Sequence, residues 1–331
     1  MTINNKGISI IICTYNGSER LNETLLHICK LSFSYSFELI VVNNASTDNT
    51  IQVINYVLKS STIDWKIVNE PNPGLSHARW KGVLSARYDI ILFCDDDNYL
   101  ANNYLEVGFG IFNKNTKVGV LGGLGEPIFE VEKPKWFDTF SHSYAVGSLG
   151  KINGVQKKLS YHYGAACFFL KSALLHLNEI GFRSVLSDRK GDSLSSGGDV
   201  ELCYAVQLLG YDLYYSDDLH FEHFIEKHRL ERAYYLRLKK GISASFPLLT
   251  AYEIYKINTV YQYKKYLFKL LLRSILICFY ILCQRILFLK RENADVAFVV
   301  NTSKVNAFFN NYRKAVKHFL YVNSLFIKSN N

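Results

Sequence analysis

The sequence predicts an α/β fold: a mostly parallel, Rossmann-like sheet flanked by helices, followed by a C-terminal helical extension. Three observations carry this prediction. A strand, turn, helix, strand pattern repeats three times between Ile8 and Phe93. Its strands are continuous apolar runs, as in sheets covered on both faces. From Arg229 onward the pattern changes to long helical stretches rich in Lys, Arg and aromatic residues. We place the sheet-bearing domain at 1–245 and the helical region at 246–331.

The elements follow in order. Ile8 to Cys13 is an apolar strand closed by the turn Thr14-Tyr15-Asn16-Gly17. Ser18 suits the cap of a helix reaching about Cys29, with Leu21, Leu25 and Ile28 on one face. Glu38 to Val42 is a second buried strand, ending in the turn formers Asn43 to Asp48. Asp48 is placed to cap a helix carrying Ile51, Ile54, Val57 and Leu58. Trp65 to Asn69 is a third strand, and Pro71-Asn72-Pro73-Gly74 breaks the chain after it. A helix from about Ser76 to Ser85 carries His77, Arg79 and Lys81 near its start, where cations oppose the helix dipole. Such cations either face phosphate or form a solvated basic face.

The next strand, Tyr88 to Phe93, leads into Cys94-Asp95-Asp96-Asp97-Asn98. Carboxylates at the end of a buried strand are costly unless a cation or solvent offsets their charge. In open α/β sheets the carboxyl ends of strands are where ligands bind. Asp95 and Asp97 are therefore candidates to hold a divalent metal that in turn holds phosphate; a solvated turn is the alternative. Gly122, Gly123 and Gly125 suit either a close ligand approach or a bulge. Pro134-Lys135-Trp136-Phe137 places aromatics that stack on a sugar or close the core. Tyr163 to Cys167 leads into another apolar strand, and a helix begins near Lys171. Ser195 to Glu201 forms a second acidic site, in which a Gly pair delivers Asp199 to a helix start. The strand Leu213 to Ser216 is followed by Asp217-Asp218 and then His220 and His223.

A net charge of +9 favours acidic partners: phosphate groups, nucleic acid or an anionic membrane surface. Neither Gly-x-Gly-x-x-Gly nor a Walker-type loop occurs, which removes the dinucleotide and P-loop readings. Seven cysteines without a Cys-x-x-Cys pair suit a reduced, cytosolic chain, and Met1 to Gly7 does not read as a signal peptide. In Tyr263 to Arg291, Lys265, Lys269 and Arg273 form one stripe of an apolar helix. The charge-free run Ser274 to Cys283 falls short of the ~20 residues of a spanning helix. An in-plane amphipathic helix or a buried core helix is expected instead. Asn301 to Asn331 reads as one more helix.

Taken together, Ser9 to Asn16, Val41 to Asp48, Gly74 to Gly82, Phe93 to Asn98 and Gly198 to Leu202 resemble glycosyltransferase family 2. The resemblance covers roughly the first 230 residues. It implies a GT-A type fold and inverting transfer from a nucleotide-diphosphate sugar. It also implies site roles. Thr14, Tyr15 and Asn16 would line the nucleotide base; Asn43 would contact the base or ribose. Asn44, Asp48 and Asp96 fall in the same donor-binding loops. Arg79 would sit near the diphosphate or base. Asp95 would lie near ribose, and Asp97, with Asp95 and His223, would hold Mn²⁺ or Mg²⁺. Asp199 would be the general base.

The sequence departs from the family pattern at three positions. Asn43 stands where Asp is usual, Trp80 replaces the common Asn after Arg79, and Gly198 replaces the common Glu before Asp199. No Gln-x-x-Arg-Trp motif occurs, which points away from a processive synthase. The expected protein adds one sugar to a glycan or lipid-linked glycan at the cytoplasmic membrane face, with peripheral membrane contact and without nucleic acid. A catalytically silent scaffold of glycan assembly is the alternative function.

Overall fold

A computed structural model describes residues 5–186, 196–255, 259–287 and 293–328. Ser195, the N-terminal 1–4, the end of the apolar stretch at 288–291 and the chain end at 329–331 lie outside the described residues. The strands are β1 Gly7–Thr14, β2 Ser36–Asn43, β3 Asp64–Asn69, β4 Ile90–Cys94, β5 Asn98–Leu100, β6 Val118–Phe129, β7 Gly154–Val155, β8 Cys167–Leu170 and β9 Asp212–Ile225. The helices are α1 Leu21–Cys29, α2 Thr50–Leu58, α3 Leu75–Ser85, α4 Tyr104–Lys114, α5 Phe137–Phe140, α6 Lys171–Glu179, α7 Gly198–Leu208, α8 Arg232–Glu253, α9 Val260–Ile286 and α10 Ala294–Lys328. Helix α8 runs through position 245.

All strands join one sheet in the order β3-β2-β1-β4-β8-β6-β9-β5, with β7 added against β9. The first four neighbours are parallel. β8 inserts antiparallel between β4 and β6, and β9 runs parallel to β6. The apolar runs explain the central position of β1 and β4: Ile8, Ile10, Ile11, Ile12 and Ile90 to Leu92 are completely buried. Strand order reverses at β1, whose neighbours β2 and β4 each start a separate branch. In such sheets the crevice at the reversal, beyond the carboxyl strand ends, is the natural ligand site. Register puts those ends side by side, with Thr14 opposite Asn43 and Ile12 opposite Cys94.

Several local expectations change. Ser18 does not cap α1; its N–H donates to Asp48 Oδ2 at 3.1 Å, and α1 begins without a side-chain cap. The strand expected to end at Ser216 continues through Asp217-Asp218 to Ile225, because the whole segment pairs with β6. The glycines of β6 serve packing. A Cβ on Gly122 would strike the His162 ring, and one on Gly123 would strike the Leu219 carbonyl, at a register shift in the strand. Trp136 and Phe137 close a second, smaller core with Tyr144 and Tyr235, and Arg232 lies over the Trp136 ring.

The C-terminal helices pack back on the sheet domain. α10 contacts α8 and α9, and Tyr263 stacks on Phe319 with ring centroids 4.3 Å apart. Glu201 of α7 joins the two regions. It is completely buried and accepts from Ser184 Oγ, Val185 N, Leu186 N and, at 2.8 Å, Tyr252 Oη of α8. Burial pushes its carboxyl up, against the pull of these donors. The His318 ring of α10 stands 3.7 Å away. Helix α9 is long and apolar enough to cross a membrane by length and composition, which the expected shortfall in apolar length did not anticipate. Its outer face exposes Phe268, Leu272, Leu276 and Phe279, while Tyr263, Leu267 and Leu271 face the protein.

Candidate active site

A cavity of about 890 Å³ opens at the strand-order reversal. One wall comes from the carboxyl ends of β1 and β4 and the loop after β2: Thr14, Tyr15, Asn44, Ala45 and Asp95 to Asp97. Arg79 of α3, Asp199 of α7 and His223 of β9 also line it. The opposite end is built by α8, through Lys239, Ile242, Phe246, Leu249 and Glu253. Burial lowers the Lys239 ammonium and raises the Glu253 carboxyl.

Each side chain is positioned by its element. Asn44 accepts from Gly74 N at 2.8 Å and donates to the Glu70 and Asn72 carbonyls. This clamps the loop before α3, where Gly74 has φ 137°, a conformation that favours glycine. The clamp fixes where α3 starts and hence where Arg79 lies, with its guanidinium 5.6 Å from the Phe93 ring centroid. Tyr15, which lines the cavity, stands 47% exposed. Asp199 lies in the first turn of α7, where Oδ2 accepts the Gly164 N–H at 2.9 Å. That contact holds the carboxylate against the strand-8 side of the cavity.

The three acids of the loop diverge. Asp96 turns toward α1: it accepts from Thr14 Oγ1 at 2.7 Å and pairs with Arg20 at 3.2 Å. Asp95 begins a turn closed by Asn98 N donating to its carbonyl at 3.2 Å. Asp97 is nearly buried, and its Oδ2 lies 2.8 Å from Arg229 Nη1 and 3.2 Å from His223 Nε2. Antiparallel pairing of β5 with β9 brings this about, since Asn98 sits opposite His223.

His223 has a readable tautomer. Its Nδ1 is 2.5 Å from the Tyr144 carbonyl, which only accepts, so Nδ1 carries the proton. Nε2 lies 3.3 Å from Arg229 Nη1, which only donates, and 3.2 Å from Asp97 Oδ2, which only accepts; in the neutral ring it presents its lone pair to the guanidinium. A carboxylate oxygen and an imidazole lone pair converging on one point are a donor set that suits Mn²⁺ or Mg²⁺. Among the described residues no group of three or more His, Cys, Asp or Glu is gathered to hold a metal. Phosphate oxygens and water would complete the shell, as is usual for Mg²⁺ bound with phosphates.

Nine of the twelve residues singled out in the sequence therefore share this cavity: Thr14, Tyr15, Asn44, Arg79, Asp95, Asp96, Asp97, Asp199 and His223. Asn16, Asn43 and Asp48 do not line it. Asn16 accepts from Thr47 N at 2.8 Å, and Asn43 bonds Asn69 and Ser46. Asp48 is a brace between the loops after β1 and β2; despite the cost of burial, bonds from Thr50 and Ser18 hold its carboxyl down at about 2. Sequence reasoning missed Arg20, Arg229, Tyr144 and the α8 wall. Arg229, six residues after His223, was visible as part of a basic run but carried no spacing signal of its own. Cys13, also in the wall, is pushed up to about 12 by burial and offers no thiolate.

The model of the family described as Glycosyl transferase family 2 matches residues 9–177. The poly-beta-1,6-N-acetyl-D-glucosamine synthase of Staphylococcus epidermidis is 25% identical over 211 residues, 63% of this chain and 48% of that protein. An uncharacterized glycosyltransferase of Haemophilus influenzae is 34% identical over 99 residues, 30% of this chain and 39% of its own. The chain spans about half the length or less of these curated relatives. Among solved structures, S. aureus TarS 1-349 in complex with UDP-GlcNAc aligns with TM-score 0.52 at 16% identity, over 93% of this chain and 92% of that one. The mannosyltransferase PcManGT from Pyrobaculum calidifontis, in complex with GDP-Man and Mn²⁺, aligns with TM-score 0.57 at 16% identity, over 93% and 87%. Both likenesses concern the fold.

Proposed function

The chain belongs to glycosyl transferase family 2, and we propose that it moves one sugar, with inversion, from a nucleotide-diphosphate donor to a glycan or lipid-linked glycan acceptor. The observation that carries this reading is the shared cavity: the Asp97–His223 pair and Asp199 open into one space from different elements. An inverting displacement needs such a division. One group of residues meets the departing diphosphate, and another meets the incoming hydroxyl.

In this reading Tyr15 stacks on the nucleotide base, and Thr14 and Asn44 shape the pocket around it. Asp95 accepts from ribose. Arg79 meets the donor's negative charge. Asp97 and His223 would hold Mn²⁺ or Mg²⁺, which would supply Lewis-acid stabilisation of the leaving diphosphate. Asp199 takes the acceptor hydroxyl's proton as that oxygen attacks the anomeric carbon. The Gly164 N–H orients the carboxylate for this step by occupying Oδ2. Asp96 supports the site through Thr14 and Arg20 instead of meeting the donor first. The α8 end, with Ile242, Phe246 and Leu249, is the acceptor side.

The C-terminal helices support a membrane location in this reading. α9 presents Phe268, Leu272, Leu276 and Phe279 outward, with Lys265, Lys269 and Arg273 along the helix. That arrangement suits an in-plane helix on an anionic bilayer at the cytoplasmic face. Transfer is non-processive, in keeping with a sequence that lacks Gln-x-x-Arg-Trp. The test is a panel of nucleotide sugars with Mn²⁺ or Mg²⁺, read as release of nucleoside diphosphate, for the wild-type chain and Asp199→Asn. Release by the wild type and loss in the variant supports the reading. A wild-type chain that turns over no donor, or a variant of equal activity with acceptor present, refutes it.

A further inference from the structure

We propose that Arg229 is an exchangeable counter-cation: without donor its guanidinium fills the point between Asp97 and His223 that a divalent cation takes, and it yields that point when the cation arrives. The inference rests on the proposed function for the existence of the metal step, but its observations are local. Asp97 Oδ2 and His223 Nε2 lie 3.2 Å apart. With the proton on Nδ1, both are lone-pair atoms facing each other, an arrangement that needs a shared positive donor. Arg229 Nη1 is that donor, at 2.8 and 3.3 Å.

The seat suits the guanidinium imperfectly. Arg229 is buried, yet its Nε has no hydrogen-bond partner. A buried donor without an acceptor is costly, so this position leaves part of the guanidinium unsatisfied. The residue is anchored by its backbone instead. Tyr144 Oη donates to its carbonyl at 2.9 Å, and its own N–H donates to the Glu226 carbonyl at 2.9 Å. The side chain lines the cavity and can therefore turn into it without moving the backbone. A dication and a guanidinium held on one carboxylate oxygen repel each other, so arrival of the metal favours release of Arg229. Released, the fork faces the space where a diphosphate would lie, and planar bidentate recognition of phosphate is what a guanidinium does well. The same charge thus neutralises Asp97 in the free protein and becomes available to the donor once the metal replaces it. Metal binding to the protein alone is weakened by this competition.

The experiment measures Mn²⁺ binding to the full chain without nucleotide, by the loss of the free-ion paramagnetic resonance signal. Arg229→Gln is expected to bind Mn²⁺ at least tenfold more tightly than wild type, and adding His223→Gln to that variant is expected to abolish the gain. Equal or weaker Mn²⁺ binding by a folded Arg229→Gln chain overturns the proposal, as does a gain that survives loss of His223. Should Arg229→Gln fail to fold, Arg229→Lys keeps the charge but shortens the reach of the nitrogen that contacts both acceptors. It is expected to tighten Mn²⁺ about threefold, and no tightening overturns the proposal. Nucleotide-sugar turnover by the wild type is measured in parallel. Turnover with unchanged Mn²⁺ affinity in the variants refutes the exchange alone and leaves the proposed function standing.

Discussion

Replacing Asp97 by Ala is expected to destabilise the protein as well as silence it, and the size of the loss follows from its surroundings. Asp97 and Arg229 are both nearly buried and 2.8 Å apart. Removing one member of a buried pair leaves the other's charge uncompensated, at a cost of about 3–5 kcal/mol. Here the remaining charge is Arg229, whose Nε already lacks a partner but whose side chain lines the cavity, so the whole of that range applies. At roughly 2 °C per kcal/mol for a large domain, the melting temperature falls by ~6–10 °C. Arg229→Met leaves Asp97 opposed to the His223 lone pair and is expected to cost a similar amount. The double variant Asp97→Ala/Arg229→Met removes both charges, and its loss is expected to be smaller than the sum of the two by about 2–3 kcal/mol. Thermal unfolding with EDTA present, followed by circular dichroism, measures all four proteins. Strictly additive losses, or a melting temperature for Asp97→Ala within 1 °C of wild type on the scale of about 2 °C per kcal/mol, refute the reasoning.

Three other outcomes can be checked. Asp199→Asn should lower sugar transfer by about 10²–10⁴, the usual worth of a general base, while donor affinity by calorimetry stays within about threefold of wild type. His162 is buried and donates from Nε2 to the Tyr214 carbonyl at 2.8 Å; burial, with Lys151 nearby, lowers its pKa to about 3. Its folded pKa lies below the unfolded value of about 6.5, so stability is present above pH 6.5 and falls as pH drops toward 3. Between pH 7 and pH 5 this group alone contributes a loss of about 2 kcal/mol, which chemical unfolding should find missing in His162→Gln. Finally, the triple change Phe268→Ser, Leu272→Ser and Phe279→Ser should lower sedimentation with vesicles containing anionic lipid at least tenfold. Unchanged sedimentation removes α9 from the membrane contact.

Much of the architecture was legible because the signals were periodic. The Ile-rich run of β1 and the run before Asp95 read as buried parallel strands, and burial of every residue from Ile90 to Cys94 is the physical reason. The turn residues at Asn43 to Asp48 were legible as a loop, but their division of labour was not. Asn44 faces the cavity, whereas Asn43 and Asp48 brace neighbouring chain. Chemically alike residues one to five positions apart differ only in where the backbone aims them, and composition carries no record of that. The acidic triplet shows the same limit. Asp96 points to Arg20 and Asp97 to Arg229, because the turn that Asp95 opens sends successive side chains in different directions. Arg229 itself was hidden because its partner lies 132 positions away. The α8 wall was hidden for a similar reason: helical periodicity shows an apolar face but not which cavity it closes.

The carboxylate of Glu201 also bears on how the protein can be divided for experiment. Its donors include Tyr252, and the His318 ring adjoins it, so the helix that presents Asp199 is fastened to parts of the chain some 50 and 117 positions later. A fragment cut before α8 ends, made to discard the apolar helices and gain solubility, would leave this carboxylate in a hole without its tyrosine. It would then draw in water or take up a proton, and α7 would lose its fixed seat. Solubility is better sought by recolouring the outer face of α9 with polar residues while keeping the chain whole.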